Sequence, residues 1–134
     1  DLILQGYRAY LSDQGLPYDA VVDIDGRLLR IQVKATRCQR PIPQRKLETP
    51  GYLFAVRRAG KKGKRLYSAK DFDLVALVAL DVRIIAYLPL SEAIKQTIFL
   101  RPIGHQPSPG ATRRRNIDGF PFDRALVAFL GINQ

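Results

Sequence analysis

Asp19, Gln32 and Lys34 are the residues of this chain whose types and spacing fit metal-assisted chemistry. A carboxylate and an amide carbonyl are hard oxygen donors, the kind that hold Mg²⁺. A metal held that way polarises a phosphate and activates water, and a lysine ammonium beside it orients the water or balances developing charge. The set suits phosphodiester cleavage. Other chemistries have less to work with. Cys38 is the lone cysteine and His105 the lone histidine, which excludes an internal disulfide and a His/Cys zinc site within one chain. Cys38 has no histidine nearby in sequence to activate it, His105 stands among Gly and Pro, and no phosphate-cradling Gly-rich loop or Gly-x-Ser-x-Gly turn is present.

Positioning three residues so far apart in sequence requires a hairpin, and Asp25-Gly26 is a strong two-residue hairpin signal. Residues 19–24 and 27–35 read as its strands. With Ile24 opposite Arg27, the register runs back one for one and sets Asp19 opposite Gln32, about 5 Å apart on one face. Lys34, two residues on, shares that face, as does Arg30 nearer the turn, itself a candidate DNA contact. Asp23 is also there, but roughly 13 Å from Asp19, too far to share a metal. The opposite face is apolar throughout: Ala20, Val22, Ile24, Leu29, Ile31 and Val33. The same alternation also describes a hairpin with one solvated face, in which Asp19, Gln32 and Lys34 do nothing but meet water.

The run from Tyr18-Asp19 through Asp25-Gly26 to Gln32-Val33-Lys34 resembles the core of the PD-(D/E)XK nucleases, the restriction-endonuclease-like enzymes. These carry an Asp on one strand and an acid-X-Lys on the next. The Gln-Val-Lys form is most similar to the group I intron-associated homing endonucleases of that superfamily. The resemblance covers residues 1 to about 58 well and the remainder loosely. It implies an α/β (α+β) fold, a mixed β-sheet core flanked by helices. It also implies catalysis by Asp19, Gln32 and Lys34 with Asp19 and Gln32 on Mg²⁺ (Mn²⁺ substituting), and double-strand cleavage of DNA at a long site by a homo-oligomer. The chain departs from the family in three respects. Pro17-Tyr18-Asp19 has one residue inserted in the Pro-Asp pair. Gln32 replaces the usual acid, which lowers the negative charge at a metal. Family members often add a Glu from a first helix, whereas residues 1–6 read as the last turns of a helix ending at Gly6, with its start upstream and Asp1 as its acid.

Bulk properties agree with a polyanion partner. The 134 residues suit one domain, residues 1–134, with a modest core. Lys and Arg number 22 against 12 Asp and Glu, a formal charge of +10, which draws a protein to nucleic acid. The longest apolar run, residues 74–90, is broken by Asp81, Arg83 and Pro89, so no transmembrane helix is expected. With no signal peptide visible and a single thiol, a cytoplasmic location is expected.

Residues 7–11 read as a short strand or extended link, residues 52–56 as a third core strand, and residues 73–80 and 83–88 as two buried strands, the first of which a helix would also fit. Residues 91–96 form a short helix capped by Ser91, residues 97–100 a last strand, and residues 121–130 a helix with Phe122, Ala125, Leu126, Phe129 and Leu130 on one face. Three basic loops are candidates for DNA contact: 36–51 with Arg37 and Arg40, 57–65 with Arg57, Arg58, Lys61, Lys62, Lys64 and Arg65, and 101–116 with Arg113, Arg114 and Arg115. The second of these, with Gly60 and Gly63, reads as a two-stranded ribbon able to enter a major groove. Tyr67 reads as a DNA-backbone contact or plain surface. Chain size implies a dimer or tetramer on a long DNA site. A Holliday-junction resolvase or repair nuclease of the same core, a DNA-binding module without catalysis, and an RNA- or ribosome-associated protein are the competing readings.

Overall fold

Asp25 and Gly26 both take positive φ, +50° and +90°, the backbone of the tight hairpin turns that match strand twist. The Asp23 carboxylate accepts the Gly26 amide hydrogen at 2.6 Å and closes the turn. The computed structural model describes residues 1–13, 15–41, 50–56, 58–60, 63–65, 67–93, 97–106 and 115–131. Strands β2 (Ala20–Ile24) and β3 (Arg27–Thr36) leave this turn in the expected register, from Ile24 opposite Arg27 to Ala20 opposite Ile31. On the far side of β2 runs β1 (Arg8–Leu11), also antiparallel.

The next neighbour of β3 is not the next strand in sequence. It is β7 (Leu74–Ala79), which runs parallel to it, and β8 (Ile84–Pro89) pairs antiparallel with β7 to complete a mixed five-stranded sheet, β1-β2-β3-β7-β8. An interior strand covered on both faces should be apolar throughout, and Leu-Val-Ala-Leu-Val-Ala is. Residues 52–56, expected as a third core strand, instead supply β4 (Tyr52–Ala55) of a second sheet with β9 (Thr97–Leu100). A strand of four residues carries its face in its alternation, here buried Tyr52 and Phe54, but not the identity of its partner. Its close seating on β9 needs Gly51, where a Cβ would come within 2.7 Å of the Leu100 carbonyl oxygen.

Two apolar layers result. On one face of the central sheet, Val22, Leu29, Ile31, Leu74 and Tyr87 meet Leu2 and Phe122 and Ala125 of a C-terminal helix, here α2 (Phe122–Leu130). That helix buries Phe122 and Ala125 of the predicted stripe, with Leu126 and Phe129 partly covered, while Leu130 is not part of this cluster. On the other face, Val75, Leu77, Ala86 and Leu88 pack against Tyr52, Phe54, Ile98 and Leu100 of the second sheet, with Tyr67 and Phe72 at the margin. Each such side chain taken from water contributes about 1.5–3 kcal/mol.

The remaining elements are short. β5 (Arg58–Gly60) and β6 (Gly63–Arg65) form the expected basic hairpin. One helical turn, α1 (Leu90–Ala93), follows β8 directly, so Ser91 lies inside it rather than capping it, and residues 94–96 are outside the described residues. At the N-terminus the Gly6 amide donates to Ile3 O and the Tyr7 amide to Leu2 O, both at 3.0 Å, the paired bonds that finish a helix. Among the described residues no helix is long and apolar enough to cross a membrane.

Candidate active site

Asp19 lies one residue before β2, and main-chain bonds fix it there. Its amide donates to Ile31 O at 2.8 Å, which continues the β2–β3 ladder by one step. Its carboxylate Oδ2 accepts from the Val33 amide at 2.8 Å and from the Gln32 side-chain amide Nε2 at 2.9 Å. The acid and the amide expected to face each other are therefore in contact. A solvated hairpin face does not describe Gln32, which is only 8% exposed although Asp19 beside it is open to solvent.

Gln32 Nε2 also reaches the Val33 carbonyl oxygen at 3.3 Å. Two acceptor oxygens, Asp19 Oδ2 and Val33 O, thus converge on one point, which a hydrogen-bond donor occupies. A half-turn of the Gln32 amide would present Oε1 in its place. The resulting donor set, one carboxylate and two neutral carbonyls, suits an oxygen-seeking divalent cation and not zinc. Among the described residues no three His, Cys, Asp or Glu cluster, so the site holds fewer charges than a multi-carboxylate centre. Val33 was not visible as a candidate because a main-chain carbonyl leaves no mark in residue type. Pattern assigned its side chain to the apolar face, where it is 38% exposed.

Lys34 follows on the same face, opposite Leu77 of β7. Its Nζ lies 5.5 Å from the centroid of the Tyr67 ring, a cation–π distance. Tyr67 is only 8% exposed, so it is part of the core margin and not plain surface.

Arg30, grouped by sequence with the DNA contacts, is committed internally. Nε and Nη2 bind the two oxygens of Asp73 at 3.2 Å, Nη1 donates to Lys70 O at 3.0 Å and Nη2 to Ala69 O at 2.9 Å. The Asp73 hydrogen bond raises the Arg30 pKa above its ordinary value, against the opposing effect of burial. This geometry gives Arg30 the task of holding residues 69–73 against β3. The nearby Asp71 is 4% exposed and accepts the Ser68 amide hydrogen at 2.8 Å. The distance of Asp73 from Arg30 in sequence hides this pairing. Asp23 serves the hairpin turn, as described above. Asp1, the acid of the first turn, accepts the Tyr87 hydroxyl at 2.7 Å, and Tyr87 belongs to the α2-facing cluster, on the face away from Gln32 and Lys34. Burial pushes the Tyr87 phenol up to about 12.

Of the basic candidates, Arg37 and Arg40 are exposed just beyond β3, and Arg40 exchanges two main-chain hydrogen bonds with Gly51. Arg58, Lys64 and Arg65 lie on the β5–β6 ribbon. The Arg115 guanidinium stacks over Phe120 at 5.5 Å. Arg57, Lys61, Lys62, Arg113 and Arg114 lie outside the described residues.

Comparison with known proteins bears on this geometry. A family model described as PD-(D/E)XK endonuclease matches residues 2–117. Among solved structures, a bacterial homing endonuclease, I-Ssp6803I, is similar with a TM-score of 0.65 at 20% identity, over 96% of this chain and 84% of that one. At that identity the likeness establishes the fold, a mixed sheet with flanking helices as the resemblance implied. No curated protein sequence matches the chain.

Proposed function

The chain belongs to the PD-(D/E)XK endonuclease family, and from that premise we propose that it is a Mg²⁺-dependent endonuclease acting on double-stranded DNA, of the homing type. The observation that carries the reading is the contact of Asp19 with Gln32, with Lys34 next on the same face. Asp19, Gln32 through its carbonyl, and the Val33 main-chain oxygen would hold the cation, with Mn²⁺ as a substitute. When bound, that cation supplies Lewis-acid activation of the scissile phosphate and of water.

The protein's own residues do the rest. Asp19 is held by the Val33 main-chain amide, a donor that stays in place when the Gln32 amide turns its carbonyl to the cation. Lys34 brings a positive charge to the pentacovalent phosphate and orients the attacking water. The exposed Arg37 and Arg40, the ribbon with Arg58, Lys64 and Arg65, and Arg57, Lys61, Lys62, Arg113, Arg114 and Arg115 supply phosphate contacts that position the duplex. Arg30 acts indirectly, by holding the site strand. Homing specificity is supported by similarity to a homing endonuclease across nearly the whole chain. On a long site the active species is a dimer or tetramer. A lone, exposed, free Cys38 accords with action in the cytoplasm.

The test is a randomised library of duplex sites, first selected for binding and then incubated with Mg²⁺ or with EDTA. Cleavage of bound sites in Mg²⁺ alone is expected. One observation favours a second reading: the acid of the family pattern is replaced by an amide already bonded to Asp19. A module that binds DNA without cutting would retain tight, salt-sensitive binding and leave every selected site intact in Mg²⁺ and in Mn²⁺.

A further inference from the structure

Lys34 carries a flexible four-carbon stem, and a catalytic ammonium on such a stem needs something to hold it. What lies beneath it is an aromatic ring. Nζ is 5.5 Å from the Tyr67 centroid, inside the range where the negative face of an aromatic ring attracts a cation. The ring itself has little freedom. Tyr67 is 8% exposed and stands edge-on against Phe72, with centroids 4.9 Å apart and planes at 62°, while Phe72 is fully buried.

The backbone after Tyr67 is fixed as firmly. Ser68 and Asp71 close a turn, the Ser68 amide donating to Asp71 Oδ2 at 2.8 Å and the Asp71 amide to Ser68 O at 2.9 Å. Arg30 grips that turn through Ala69 O and Lys70 O, and it grips Asp73 just beyond. Arg30 and Lys34 belong to one strand and one face, so the residue that fixes the turn and the residue that uses the ring share a single rigid element.

We propose that Tyr67 is the positioning residue of the cutting centre: its ring face, held by Phe72 and by the turn that Arg30 locks, fixes where the Lys34 ammonium stands. The proposal rests on the nuclease reading for the role of Lys34, but not for the contact itself. The ring is the working part and the phenol oxygen is dispensable, which separates this role from hydrogen bonding or from contact with DNA.

The test compares the full chain with Tyr67→Phe and Tyr67→Leu. In proteins labelled at lysine, with Lys34→Arg to assign the signal, the ε-methylene protons of Lys34 are shifted upfield by the ring in wild type and in Tyr67→Phe. They return to the ordinary lysine position in Tyr67→Leu. Single-turnover cleavage by Tyr67→Phe stays within about two-fold of wild type, and Tyr67→Leu is slower by about ten-fold or more, with DNA affinity unchanged. An unshifted Lys34 in wild type, a Tyr67→Leu protein that cuts at the full rate, or a Tyr67→Phe protein as slow as Tyr67→Leu overturns the proposal. The wild-type spectrum and the Tyr67→Phe rate decide the matter even where Tyr67→Leu does not fold. A wild type that shows the shifted Lys34 but cuts no DNA overturns the nuclease reading, and the cutting role of Tyr67 with it, while the contact stands.

Discussion

The two faces of strand β3 are built to different rules. Toward α2 it presents Leu29 and Ile31, 0% and 2% exposed, which belong to the apolar cluster beneath that helix. Toward the second sheet it presents Arg30, Gln32, Lys34 and Thr36, with Gln32 and Thr36 each only 8% exposed. Hydrocarbon would pack that face at lower cost, because each buried polar group must recover its lost hydration through bonds that geometry has to supply. The bonds are supplied: Gln32 to Asp19, Arg30 to Asp73 and two carbonyls, Lys34 to an aromatic face. The first face accounts for stability. The second holds polar groups where stability alone does not require them, and this contrast is the physical argument that it is the working face.

The contrast can be tested by substituting one residue on each face. Lys34→Ala should lower the cleavage rate by about 10³-fold or more while DNA affinity and thermal stability stay near wild type. A rate unchanged under single-turnover conditions would remove Lys34 from the site. Leu29→Ala on the opposite face should do the reverse. Urea denaturation should register a loss of about 2–5 kcal/mol, with cleavage per folded molecule retained. Should both variants lose stability equally and neither lose rate selectively, the division between faces is wrong.

A subtler change separates the roles of Gln32. Gln32→Glu removes the N–H bond to Asp19 and sets a second carboxylate against the first. We expect a loss of about 1–3 kcal/mol in EDTA that millimolar Mg²⁺ or Ca²⁺ largely restores. Stability indifferent to the cation would count against Asp19 and Gln32 as metal ligands. The smallest effect concerns the periphery. Replacing Arg58, Lys64 and Arg65 of the ribbon by Ala should weaken DNA binding and flatten its dependence on salt. The log–log slope should fall by about one unit for each phosphate that the ribbon no longer neutralises. An unaltered slope takes the ribbon out of the interface.

The local part of this site was legible in the sequence and the tertiary part was not. Asp25-Gly26 defines a turn, the turn defines a register, and the register brings Asp19 to Gln32 with no knowledge of the rest of the fold. The flanking sheet lies beyond such reasoning. β4 looked like a core strand because its alternation is that of one, yet its partner, β9, comes more than forty residues later. Burial of Gln32 depends on what covers its face, and that cover comes from strands far along the chain. The same distance in sequence hides Tyr67 beneath Lys34 and Asp73 against Arg30. The Val33 carbonyl is invisible for a different reason, since every residue has one. Residue types identified the acid, the amide and the ammonium, and the groups that hold them in place emerged only from the packing.

If Asp19 belongs to a metal-dependent cutting centre, its loss must abolish cleavage and leave binding in place. The most direct measurement is cleavage of DNA in Mg²⁺ by wild type and by Asp19→Ala, on sites both proteins bind. Wild type is expected to cut, EDTA to abolish the cutting, and Asp19→Ala not to cut at matched occupancy. Cleavage by Asp19→Ala at the wild-type rate would remove Asp19 from the reaction.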